Sequence, residues 1–309
     1  MANYAKQQHY IPRKSYLDYF TDDSGKKHFC WVYYDKRTFL NDSEQKLKKI
    51  TTLNLCKEGY FYESSDKNLN ALEGALCAIE NNYKNILESK IFKKEHLSKE
   101  DKFKVSLFIS SLESRTPSSK LNINNFIDDI LNQVSSLEKQ FSKGRISEVH
   151  SELLEMKKGN IPFSQLVDTS LVVNRWQFSD MIFLTIEQDF EDLFFITSDF
   201  PVCLYDFTLM NSPYGVPPLS STLEVVAPLT PEITVFINNI GLNGYLEVWP
   251  NFIREVNNRT ILRSNKYIIS PRELNNKFFD SCINRSRQSL LLLVLRDKLS
   301  DKYLKNHSG

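Results

Sequence analysis

The sequence predicts an α+β fold: a mixed β-sheet with an N-terminal β region and a helical block inserted at about residues 65–158. Three observations point there. Short β-branched and aromatic runs occur near the start, at Phe29–Tyr34, and again through the second half of the chain. Between them apolar residues recur three or four apart, the period of one helix face. No linker-rich tract or internal repeat separates these parts, and the 309 residues include only nine glycines and eleven prolines. The expected organisation is a single domain over 1–309, with the N-terminal β region at 1–64, the helical block at 65–158 and the main sheet with C-terminal helices at 165–309.

Taken in order, Gln7-Gln8-His9-Tyr10-Ile11-Pro12 reads as extended chain, since a proline biases its predecessor towards strand or polyproline geometry. Tyr16, Leu17, Tyr19 and Phe20 form an apolar patch, residues 22–25 (DDSG) a turn, and Phe29–Tyr34 a strand. The helical period begins after Ser65 or Asp66, either of which could cap it, with Leu69, Leu72, Leu76, Ile79, Tyr83, Ile86 and Leu87 on one stripe. Glu73 and Glu80 stand nearly above one another at its border. They can reach a neighbouring cleft, or lie with wet carboxylates over apolar surface.

A second helix is framed by Ser98 and Asp101 as a capping box, buries Val105, Phe108, Ile109 and Leu112, and stops at Pro117. Arg115 in its last turn can hold a phosphate or carboxylate in fork geometry, or pair with a structural acid. A third helix is expected from about 122 to 141, with Phe126, Ile127, Ile130, Leu131, Val134, Leu137 and Phe141 inward, and a fourth from about 146 to 158. Beyond Pro162, residues 171–173, 181–186 and 194–196, then EVVAP and ITVFI around Leu229-Thr230-Pro231, read as strands. Residues 204–221 form a proline-bearing loop, and helices are expected at about 254–264 and 271–287.

Composition excludes several classes. With 39 basic and 38 acidic residues the net charge is +1, so no global field marks a nucleic-acid or membrane binder. Five cysteines without a CxxC pair suit reduced thiols and neither a disulfide framework nor a zinc site. The N-terminal residues lack an apolar signal core, and the longest purely apolar run, 290–295, is six residues, so a cytoplasmic protein without membrane spans is expected. There is no phosphate-binding glycine loop, HExxH or GxSxG elbow.

Four stretches carry a resemblance: His9-Tyr10-Ile11-Pro12, Arg115-Thr116-Pro117, Phe195-Ile196-Thr197-Ser198-Asp199-Phe200-Pro201-Val202 and Pro228-Leu229-Thr230-Pro231, with a looser match at Val256-Asn257-Asn258. Together they make the chain resemble a mostly bacterial domain-of-unknown-function family, number 4238. Where that family reads serine-aspartate-asparagine-proline, this sequence has Phe200. The family implies no activity.

The residue types are coherent with a phosphodiester hydrolase, a nuclease-like effector in bacterial antiviral defence or a toxin system. His9, Arg115 and Asp199 would be catalytic and Ser198 and Tyr10 would touch substrate. Asp199, Glu73 and Glu80 would supply oxygens to magnesium or manganese. The alternative from a different class is a non-catalytic interaction or sensing module whose polar residues form a structural network. Partners are accordingly a nucleic acid or a protein. A further alternative rests on Arg145 and His150 in the helical block, at the spacing seen in HEPN ribonucleases.

Overall fold

Alternation along the strands decides which side of each sheet meets which helix. The computed structural model of the chain describes residues 7–22, 28–34, 46–59, 61, 70–140, 144–158, 180–188, 190, 193–209, 220, 222–239, 241–283, 289–290 and 292–294. The expected strand at 171–173 and the turn at 23–25 lie outside them. The fold is α+β, with helices and mixed sheets.

The larger sheet contains β5 (Asp180–Thr185), β7 (Cys203–Tyr205), β8 (Glu224–Pro228), β9 (Ile233–Asn238) and β10 (Gly244–Glu247), in the order β10-β5-β9-β8-β7. All pairs are antiparallel except β10 with β5. Strands β8 and β9 are buried at every position, as expected of a sheet covered on both faces. Met181, Phe183, Val225, Ala227, Val235 and Ile237 face one core, with the N-terminal segment and the first helices. Their alternates Ile182, Leu184, Val226 and Phe236 face another, with Phe252, Ile253 and Val256 of helix α5 (Pro250–Arg263) and with Leu290 and Val294.

The smaller sheet runs β3-β2-β11-β6, from β2 (Phe29–Tyr34), β3 (Lys46–Thr51), β6 (Thr197–Ser198) and β11 (Tyr267–Ser270). It joins both ends of the chain: the N-terminal β2 pairs with the C-terminal β11, which pairs with β6. A two-stranded ladder, β1 (Gln7–His9) with β4 (Lys57–Gly59), completes the strands among the described residues. Tyr33, Ile196 and Ile268 form a third core with Phe278 and Phe279 of α6 (Asn276–Ile283).

The helical block supplies α1 (Asn70–Ile86), α2 (Lys99–Ser114), α3 (Pro117–Gln140) and α4 (Gly144–Lys158). The Ser98–Asp101 capping box forms as expected, and Lys90 adds an ion pair to Asp101 at 2.6 Å. Three expectations need correcting. Pro117 does not merely stop α2: it opens α3 five residues early, because a first helical position needs no N–H and suits proline's φ. Phe126 and Leu137 are exposed, while Ile127 and Leu131 are buried, because the turn of 3.6 residues puts Phe126 beside the packed stripe and not on it. The ladder near 194 forms at Thr197–Ser198 and not at 194–196, whose backbone is bound by other groups described below.

Candidate functional site

The buried phenol of Tyr16 ties three of the sequence motifs together. Its single proton goes to the carbonyl of Pro228 at 2.7 Å, so the 2.7 Å bond to Thr197 Oγ1 is donated by the threonine. Tyr16 lies just after HYIP, Thr197 within ITSD, and Pro228 at the head of PLTP. Burial holds the phenol neutral by raising its pKa, against the threonine bond that lowers it. The PLTP turn is itself closed by Thr230, whose Oγ1 accepts from the N–H groups of Glu232 and Ile233, both at 3.1 Å, while the Pro231 carbonyl accepts from Phe195 N–H at 2.8 Å.

Residues 194–196 are bound from the other side by Asn257 on α5. Its Nδ2 donates to Phe194 O at 2.8 Å and its Oδ1 accepts from Ile196 N–H at 3.0 Å, so one amide replaces two ladder bonds. The chain then bends at Asp199, which is 1 % exposed. Its two carboxylate oxygens accept separately from Asn265 N–H at 2.9 Å and Lys266 N–H at 2.8 Å, and its own N–H donates to Tyr267 O at 3.2 Å. Asp199 therefore closes the connection between α5 and β11. Burial raises its carboxyl pKa even though those amides favour the anion. Ser198 is spent in the same way, its Oγ accepting from Phe200 N–H at 3.1 Å.

The remaining expected residues sit in other environments. Tyr10 is buried, its ring 5.3 Å from that of Phe61, and burial raises its pKa with added contributions from nearby Cys56 and Asp199. His9 Nε2 lies 3.3 Å from Thr52 O, and burial lowers its pKa more than that bond raises it. Arg115, 1 % exposed, pairs through Nη1 with Glu80 Oε1 at 2.7 Å, and Ser15 Oγ donates to Glu80 Oε2 at 3.4 Å. Glu73 is half-exposed on the same helix as Glu80. The described contacts of His9, Arg115 and Asp199 thus go to three different sets of partners.

Among the described residues no group of three or more His, Cys, Asp or Glu could hold a metal ion. The oxygens of Asp199 accept from backbone amides and those of Glu80 from Arg115 and Ser15. In the helical block His150 Nε2 lies 3.4 Å from Ser135 Oγ, and the side chain of Arg145 lies outside the described residues.

A family model described as "Protein of unknown function (DUF4238)" matches residues 7–273. The chain belongs to this family. No curated protein and no solved structure matches it.

In this DUF4238 member the polar residues that border a cavity lie one step beyond the motif, and sequence reasoning missed them. Glu224, wholly buried on β8, accepts from Arg259 Nη2 at 2.7 Å, from Leu290 N–H at 3.2 Å and from the Ser289 hydroxyl. Arg259 Nε reaches Glu255 Oε1 at 2.8 Å, and its guanidinium stacks 4.2 Å from the Tyr205 ring centroid. One turn on, Arg263 lies 4.0 Å from the centroid of Phe200. These groups flank a cavity of 210 Å³ lined by Cys203, Leu204, Tyr205, Arg259, Leu262 and Arg263. The available signal was the i, i+4 spacing of Glu255, Arg259 and Arg263, which places all three on one face of α5.

A larger open groove of 710 Å³ is bordered by Tyr19, Asp22, Trp31, Glu232, Arg272 and Glu273, among others. His9, Arg115 and Asp199 line neither space.

Proposed function

We propose that the protein is a non-catalytic sensing module of the cytoplasm, whose motif residues hold its frame and whose response comes from a ligand bound elsewhere on that frame. The observation that carries this reading is Asp199: a buried carboxylate with each oxygen accepting from a backbone N–H closes the connection between α5 and β11, and it lines neither of the two spaces described above. The buried Arg115–Glu80 pair supports it, because a guanidinium 1 % exposed already meets a protein carboxylate.

The competing phosphodiester hydrolase needs an acid or base that touches the scissile group. The test is incubation of the purified protein with labelled RNA and DNA, with magnesium or manganese, beside Asp199→Ala and His9→Ala. The module reading expects no cleavage above a buffer blank from any of the three. Cleavage by the natural sequence that both substitutions abolish, with folding intact by circular dichroism, overturns it.

A further inference from the structure

We propose that the cavity between β7 and α5 is a binding site for a phosphate-class oxyanion, either free or as the terminal group of a small molecule. This rests on the sensing-module reading and names its ligand.

The cavity is lined by two arginines, a tyrosine, a cysteine and two leucines, and no Asp or Glu is among the lining residues. Glu224 and Glu255 hold Arg259 through Nη2 and Nε and are not among the lining residues. Those bonds and the stack on Tyr205 fix the Arg259 plane before any ligand arrives, which lowers the entropy cost of binding. Arg263 differs. Its Nε is buried with no hydrogen-bond partner among the described residues, and its described contact is with the face of Phe200. A guanidinium that meets an aromatic face, with its Nε unpartnered among the described residues, keeps donors for an anion.

Cys203 adds no opposing charge, because burial pushes its thiol up to about 11 against the lowering effect of the two arginines. The space also limits the ligand. A volume of 210 Å³ corresponds to about seven waters at ~30 Å³ each, room for one tetrahedral oxyanion, and because the space is open to solvent the rest of a phosphorylated molecule extends outward. Two arginines bordering one small volume suit phosphate, a multivalent acceptor that the arginine fork matches. The larger groove lacks this character, since Asp22, Glu232 and Glu273 border it with Arg272.

The experiment is isothermal titration of the full chain with inorganic phosphate and with adenosine 5′-monophosphate, and with acetate as a control, all at one ionic strength. Each is repeated on Arg263→Gln and Arg263→Lys, with circular dichroism to check folding. The expected result is saturable binding of phosphate, the monophosphate or both, weakened about tenfold or more in Arg263→Gln and less in Arg263→Lys, with acetate inert. Tighter binding of the monophosphate identifies a small phosphorylated molecule as the source, and equal binding identifies free phosphate. No saturable binding of either, equal affinity for acetate, or undiminished affinity in folded Arg263→Gln overturns the site. Release of phosphate from the monophosphate during the titration would instead overturn the non-catalytic reading and leave the site standing.

Discussion

The two ends of the segment from Phe194 to Tyr205 use polar chemistry in opposite ways. At Ser198 and Asp199 every described side-chain bond goes to backbone amides, the carboxylate is buried, and neither residue lines the groove or the cavity described above. A few residues on, Cys203 to Tyr205 face two arginines across an open space. What the contrast teaches is that a polar residue in a buried motif marks a site only if its bonding capacity is left over after the fold has been satisfied. By that criterion the Asp199 turn belongs to the frame and the α5 arginine face to ligand binding, while the ion pair of Arg115 with Glu80 is assigned to the frame by its burial.

Substitutions in the frame should cost stability, and the largest loss is expected at the ion pair. Glu80→Leu removes the carboxylate that Arg115 meets at 2.7 Å while the guanidinium stays buried, and about 3–5 kcal/mol should be lost, measured by urea unfolding. A loss under about 1 kcal/mol would move Arg115 out of the frame. Next comes Asp199→Ala, which strips two amides of their acceptor and should cost about 2 kcal/mol, with Asp199→Asn costing less because one oxygen remains to accept. An unchanged unfolding midpoint in Asp199→Ala would break the comparison from the structural side. Arg263→Gln should change stability by no more than about 1 kcal/mol, the scale of one cation–π contact, in the same unfolding assay.

The smallest effect should come from His9, through pH. Its folded pKa lies below the ordinary 6.5, so its contribution to stability is present in full above about 6.5 and is lost as pH falls through the lowered folded value. His9→Gln should flatten that part of the stability profile between pH 7 and 5, followed by thermal melting. A steeper profile in the variant would mean that protonated His9 is favoured by the fold.

Much of the architecture could be read from the chain. The helical block, β2, β5, β8 and β9 announced themselves by periodicity because their apolar residues face a core on a fixed repeat. Strand β3 did not: KLKKIT is half lysine, and an edge strand keeps lysines towards solvent, with Lys49 paired to Asp22 and lying 5.3 Å from the Trp31 centroid. The motif residues could be picked out as special but their partners could not. Asn265 and Lys266 offer Asp199 only backbone groups, which leave no trace in residue identity. Tyr16, the joint between three motifs, looked like one aromatic among several in an apolar patch. The α5 face was hidden for another reason. Its meaning depends on Glu224, thirty-five positions before Arg259, arriving behind it through the order of strands in the sheet.

The division between frame and site is tested most directly by measuring two quantities on the same pair of variants: unfolding free energy and affinity for adenosine 5′-monophosphate in Asp199→Asn and Arg263→Gln. The account predicts a crossed result, with Asp199→Asn less stable but binding with near-natural affinity once folded, and Arg263→Gln as stable as the natural chain but binding about tenfold or more weakly. The opposite cross, in which Asp199→Asn keeps its stability and loses binding while Arg263→Gln binds normally, would contradict it.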